Sequence, residues 1–158
     1  MRNTGLVTLN LELAARMTDI LPAGDWVAAA KDEEAVMGRM DALRELALPD
    51  LEVAMVGPGG FTGTFRGIDG FRDAWSDGLD PFDAYSVEVE EVRQAGDHVV
   101  ALARHTARPK GTRATVEGAA AAVMTFRDGK LARIEFNLDQ AAALRAAGLD
   151  PQSSQTKL

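Results

Sequence analysis

The sequence predicts an α+β fold in which helices come first and a curved antiparallel sheet comes after them. Three observations carry this. Apolar residues recur at helical spacing as far as Leu48. From Leu51 onward the period falls to two, through a series of long runs. Only one helical segment interrupts those runs, so the alternation that builds a parallel sheet is absent.

The first helix is marked by Leu11, Ala14, Ala15, Thr18 and Leu21, and Pro22-Ala23-Gly24 stops it. Asp25 is placed to cap a new helical turn that begins with Trp26. Val36, Met40, Leu43, Leu46 and Ala47 share one face of a second long helix over 33–48. It ends before Pro49, because the residue preceding a proline avoids the helical region. Leu51 to Val56 reads as a short strand, Gly57 to Gly60 as a turn and Phe61 to Phe65 as a second strand. A helix over 68–79 comes next. Four alternating runs then cover 85–92, 98–107, 115–126 and 131–138. Asp128-Gly129 joins the last two, since both residues tolerate the positive φ of a two-residue hairpin turn. A short helix over 140–147 closes the expected domain, 1–149, and the polar tail 150–158 is expected to be disordered.

Composition bounds the function. A chain of 158 residues, 46% hydrophobic and 26% charged, suits one globular domain. The net charge of -7 argues against nucleic acid or an anionic membrane as partner, because both need clustered cations. No apolar run reaches the roughly 20 residues of a spanning helix. The first residues lack a signal-peptide pattern, and the expected location is cytoplasmic. Cysteine is absent, which removes thiol chemistry and disulfides. His98 and His105 lie seven apart, so a regular strand points them to opposite faces, and no metal site or cofactor is expected. Gly63, Gly67 and Gly70 precede a helix but lack the spacing and lysine of a phosphate loop. They read as a corner, with Phe71 and Trp75 turned together toward the sheet.

The hairpin at Asp128-Gly129 sets an expected register. Pairing Arg127 with Lys130 places Val123, Ala121 and Ala119 opposite Ile134, Phe136 and Leu138, and makes that face the inside. Ala101 and Ala103 fit the same small-residue lining. Trp26, Met40, Met55, Phe71, Trp75 and Tyr85 complete the expected pocket wall. The alanines either let a helix pack close, with Trp26, Trp75, Met37, Met40 and Phe71 filling the space, or they enlarge a cavity. In the preceding hairpin, a loop over 109–111 puts His105 inside beside Glu117, whereas one more residue puts Arg104 there. The alanine strand-mates favour His105. A histidine beside a carboxylate in an apolar cavity is a candidate general base.

Several stretches resemble one family in order: LPDLEV (48–53), GTFRGIDGFRDAW (63–75), GDHVVALARHTARPKGT (96–112), TFRDGKLARIEFNLD (125–139) and AALRAAGLD (142–150). They resemble SnoaL-like polyketide-cyclase domains of the nuclear transport factor 2-like superfamily, which also holds ketosteroid isomerase and limonene epoxide hydrolase. The resemblance implies a cone-shaped curved sheet wrapped around N-terminal helices, with a pocket inside, and a homodimer through the outer sheet face. It does not carry over the family's acids. The isomerase base position falls at Met55, the run from Gly118 to Val123 holds no acid, and the epoxide hydrolase carboxylate position falls at Phe136.

Three functions therefore compete. One is an enzyme acting on a small apolar molecule by an acid–base step such as isomerisation, cyclisation, dehydration or hydrolysis. It would use His105 and Glu117, with Arg104, Tyr85 or Asp139 in support. Another is a binding protein without chemistry. The third is a dimeric interaction module.

Overall fold

The computed structural model describes residues 4–56 and 62–150. The expected turn at Gly57 to Gly60, Phe61 and residues 151–158 of the expected tail lie outside the described residues. Within them run α1 (Thr4–Ile20), α2 (Trp26–Ala30), α3 (Glu33–Leu46), β1 (Ala47–Val56), β2 (Thr62–Arg66), α4 (Gly67–Leu79), β3 (Phe82–Ala95), β4 (His98–Pro109), β5 (Val116–Arg127), β6 (Lys130–Asn137) and α5 (Gln140–Ala146). Helices followed by a curved six-stranded sheet is the expected α+β class. No helix among the described residues is long and apolar enough to cross a membrane.

The caps fall where short acidic side chains precede helices. Asp25 accepts from the Val27 amide, Asp32 from Ala35 and Asp139 from Ala142, each satisfying an otherwise free first-turn donor. Helix α1 starts earlier than its apolar period suggested. It buries Leu13, Ala14, Met17 and Ile20, while Leu11 and Ala15 stay exposed. The face of α3 is the expected one, with Val36, Met40, Leu43 and Leu46 buried. Strand β1 begins at Ala47 and runs through Pro49, so the chain leaves α3 directly into the sheet. At the corner into α4, Gly67 takes φ +78°, a conformation glycine adopts without penalty.

The strand order is β2-β1-β6-β5-β4-β3. All neighbours are antiparallel except β1 and β6, which run parallel. The meander β3–β6 is thus extended on one side by two strands from earlier in the chain, β1 and β2.

One correction concerns register. Arg127 pairs with Lys130 and Phe126 with Leu131, as a turn with Asp128 at φ 55° and Gly129 at φ 75° requires. Beyond that a bulge shifts the ladder: Thr125 pairs with Arg133, Met124 with Ile134 and Ala122 with Phe136. Ala132 is the extra residue. A bulge of one residue exchanges the two faces of the partner strand. The concave side therefore carries Met124 and Ala122 with Ile134. The expected inward residues Ala121 and Val123 join Val100 and Leu102 beneath α5, whose Ala143 and Leu144 cover them. Ala119 is exposed. The outer face, expected to form a dimer surface, is thus covered by α5 over part of β4 and β5.

The concave core joins Leu51, Val53, Val99, Ala101, Met124, Phe126, Leu131 and Ile134 of the sheet to Met17, Met40, Leu43 and Phe71 of the helices. Met40, expected at the pocket wall, is part of this packing and does not reach the cavity. Met37, one of the expected filling side chains, is exposed on the far side of α3. On the outer side of β1 and β6, Arg133 lies 3.2 Å from Glu52 and 3.1 Å from Glu135. Asn137 donates to Glu135 at 2.9 Å. These partners satisfy a carboxylate that burial would otherwise penalise.

Candidate functional site

A cavity of about 430 Å³ opens between α4, β1, β3, β4 and β6. Trp26, Phe71, Trp75, Phe82, Tyr85 and Phe136 supply aromatic wall, and Met55, Ala74, Gly78 and Leu138 close the sides. A smaller recess of about 80 Å³ adjoins it, bounded by Ala101, Ala103, Ala120, Ala122 and Ile134. The alanine lining and the tryptophans were competing explanations of one space, and both contribute. The rings pack on one another and leave the main cavity open. Ala121 borders the recess, but its side chain belongs to the outer cluster.

The aromatic walls are held in place by local bonds. The Trp26 indole donates to the Pro22 carbonyl at 3.0 Å. Asp25, while capping α2, also accepts from the Tyr85 amide at 3.1 Å. One carboxylate thereby ties Trp26 to Tyr85, whose ring centroids lie 5.5 Å apart. Trp75 meets Trp26 edge to face at 6.2 Å. Phe71 meets Phe136 at 6.1 Å. Edge-to-face geometry sets the positive ring edge against the negative face.

His105 faces the cavity, and Arg104 faces away from it. Glu117 does not join His105. It pairs with Thr106 across the ladder and meets Arg104 at 3.2 Å on the outside, 60% exposed. His105 instead stands opposite Gly118. Its polar partner is the Tyr85 hydroxyl, 3.0 Å from Nδ1. Asp139 is occupied as the cap of α5. The expected His–Glu pair is thus replaced by a His–Tyr pair, because the register that brings His105 inside sends the adjacent Glu117 out.

Burial sets the electrostatics. It lowers the His105 pKa below the ordinary 6.5 and pushes the Tyr85 hydroxyl up to about 12, since an apolar surround disfavours the charged form of either group. Near pH 7 the pair is neutral. A proton bound by His105 in the unfolded chain is resisted in the fold. Stability is then full above about pH 6.5, the ordinary histidine value, and falls as pH drops below it. Urea unfolding at pH 7.5 and 5.5 checks this. His105→Gln is expected to flatten the slope, and an unchanged slope would show that other groups cause it.

Among the described residues no group of three or more His, Asp and Glu side chains is placed to hold a metal. Residues 32–134 match the family profile described as SnoaL-like domain.

The chain belongs to the SnoaL-like domain family.

No curated protein matches it significantly. Solved structures share its fold. One, described as a SnoaL-like polyketide cyclase of Jannaschia sp. CCS1, is 24% identical, with 91% of this chain and 94% of that chain covered and a TM-score of 0.58. An NTF2-like protein of Burkholderia xenovorans LB400 is 21% identical over 89% and 96% of the two chains, with a TM-score of 0.58. TerC, co-crystallised with polyporic acid, is 21% identical over 88% and 97%, with a TM-score of 0.57. At these identities the SnoaL-like likeness is one of fold. Met55, Phe136 and the acid-free run from Gly118 to Val123 stand at the positions where the resemblance implied acids. Gly118, unremarked in the sequence, was legible only as a glycine beginning a strand run of alanines.

Proposed function

We propose that this SnoaL-like protein binds a small hydrophobic molecule in the aromatic cavity and that His105, with Tyr85, performs an acid–base step on it. The observation that carries the reading is the neutral His105–Tyr85 pair at the wall of a largely apolar cavity, whose lining also includes Asp77. Convergent polar groups in an apolar pocket are the usual form of a small-molecule site. With Nδ1 on Tyr85, Nε2 is the ring nitrogen without a hydrogen-bond partner, and it lies over the bare β5 backbone at Gly118. When Nδ1–H donates to the Tyr85 oxygen, Nε2 is a base. When the hydroxyl donates to Nδ1, Nε2 carries the proton and is a hydrogen-bond donor. A relative of the same fold, TerC, was crystallised with polyporic acid, which supports a small-molecule role.

Binding without chemistry is the second reading. It is favoured by the outward position of Glu117, which leaves His105 without a carboxylate to stabilise its charged form. A thermal-shift screen with hydrophobic metabolites tests both, repeated on His105→Ala. A ligand of the native state raises the melting temperature. Binders lost with His105→Ala support a direct role for the imidazole. Binders retained, without turnover, support the second reading, and no binder at all removes both.

A further inference from the structure

Gly118 stands within an inner strand of the sheet, where glycine weakens pairing and packs no side chain. Its backbone does not require glycine, since it is not among the positive-φ residues. Gly96 and Gly129 sit in turns at positive φ and so have a conformational reason that Gly118 lacks. What distinguishes Gly118 is its neighbour. A Cβ added there would lie 2.7 Å from Nε2 and 3.2 Å from Cδ2 of His105. The other end of the same ring is tied at Nδ1 to Tyr85. The ring is therefore held between the bare β5 backbone and the Tyr85 hydroxyl, and Tyr85 stacks edge-on to it with centroids 5.4 Å apart.

We propose that Gly118 and Tyr85 are positioning residues for His105, one giving the imidazole its seat against β5 and the other fixing its rotation about that seat. The inference rests on the reading of His105 as the working group of the cavity, but its test needs no ligand. An alanine methyl at 118 and the ring in its present place cannot coexist, because 2.7 Å is well inside van der Waals contact. The ring must swing off β5, and the hydrogen bond to Tyr85 is then lost. The groups around the ring that titrate are Tyr85 of β3 and Asp77 of α4, which lines the same cavity. On β5 the adjacent inward positions, Gly118 and Ala120, carry none. Arg104 and Glu117 lie on the other face.

The test is a double-mutant cycle of Gly118→Ala and His105→Ala, read by melting temperature, with the His105 ring followed by NMR titration. His98→Gln assigns the two histidines. With His105 present, Gly118→Ala is expected to lower the melting temperature. It should also raise the His105 titration midpoint toward the ordinary value as the ring reaches water. In the His105→Ala background the same substitution is expected to raise the melting temperature, since alanine is the better strand residue once the ring is gone. Tyr85→Phe should shift the ring nitrogen resonances, because Nδ1 then loses its hydrogen-bond partner. An equal effect of Gly118→Ala in both backgrounds overturns the proposal, as does an unmoved titration midpoint. If Gly118→Ala alone fails to fold, the double variant decides: a folded double variant supports the seat, and an unfolded one refutes it. A cavity that binds nothing would leave these outcomes intact and would remove only the ligand reading.

Discussion

Phe71→Ala is expected to cost about 3–5 kcal/mol of stability, the usual range for removing a buried aromatic ring. Phe71 is only 2% exposed, sits in the concave core, and meets Phe136 edge to face. Against a total stability of about 5–15 kcal/mol, the loss brings the domain near its unfolding threshold. The ring also lines the main cavity, so its removal merges packing defect and pocket into one larger space. Urea titration measures the loss, with an unchanged m-value expected if only the native contacts are affected. A cost below about 1 kcal/mol would mean that α4 does not hold the sheet as described.

Gly78→Phe is expected to weaken any ligand of the main cavity by more than about tenfold, or about 1.4 kcal/mol, while leaving the fold intact. Gly78 lies in α4 and lines the cavity beside Met55. A Cβ there would meet only the Met55 methyl, at 3.0 Å. That is the tip of a flexible side chain which can move aside. A larger side chain there displaces the Met55 methyl and takes up space at the cavity wall. Glycine within a helix is also intrinsically unfavourable, so the melting temperature is expected to hold or rise. Isothermal titration with any compound found in the thermal-shift screen provides the check. Undiminished binding would place the ligand elsewhere and sink the cavity as its site.

The two substitutions separate roles that share α4. Phe71 serves packing first and pocket shape second. Gly78 serves pocket volume alone. Their neighbour Trp75 stands between, in T-shaped contact with Trp26 and lining the cavity. The stretch from Gly67 to Leu79 is therefore the wall that joins core to site. Its first glycine turns the chain out of β2, as expected of a corner.

Much of the fold is legible in local sequence. Element types follow from the change of period at Leu51, and the α3 stripe follows from residue spacing alone. The Asp128-Gly129 turn follows from the positive φ its geometry demands. The inward position of His105 follows from Ala101 and Ala103, strand-mates that suit a concave lining. One helix start is legible from Asp25, and Asp32 and Asp139 act in the same way, each carboxylate satisfying a backbone donor within three residues.

Relations between distant segments are not legible in this way. The parallel pairing of β1 with β6 joins residues about 80 positions apart, and no local pattern encodes it. The bulge at Ala132 exchanges the faces of β5, and the run Ala119 to Ala122 cannot reveal this. Four identical small residues have no alternation, so either register looks equally apolar. The Glu117 assignment failed for the same reason, since one residue of slip separates the cavity from solvent. Tyr85 and Gly118 become the partners of His105 because three strands converge there in space. Sequence by itself determined the α+β class and the strand and helix inventory, and favoured His105 over Arg104 as the inward residue, since these depend on local periodicity and turn chemistry. Tertiary structure alone decided the register and hence the site, since those depend on which strand lies beside which.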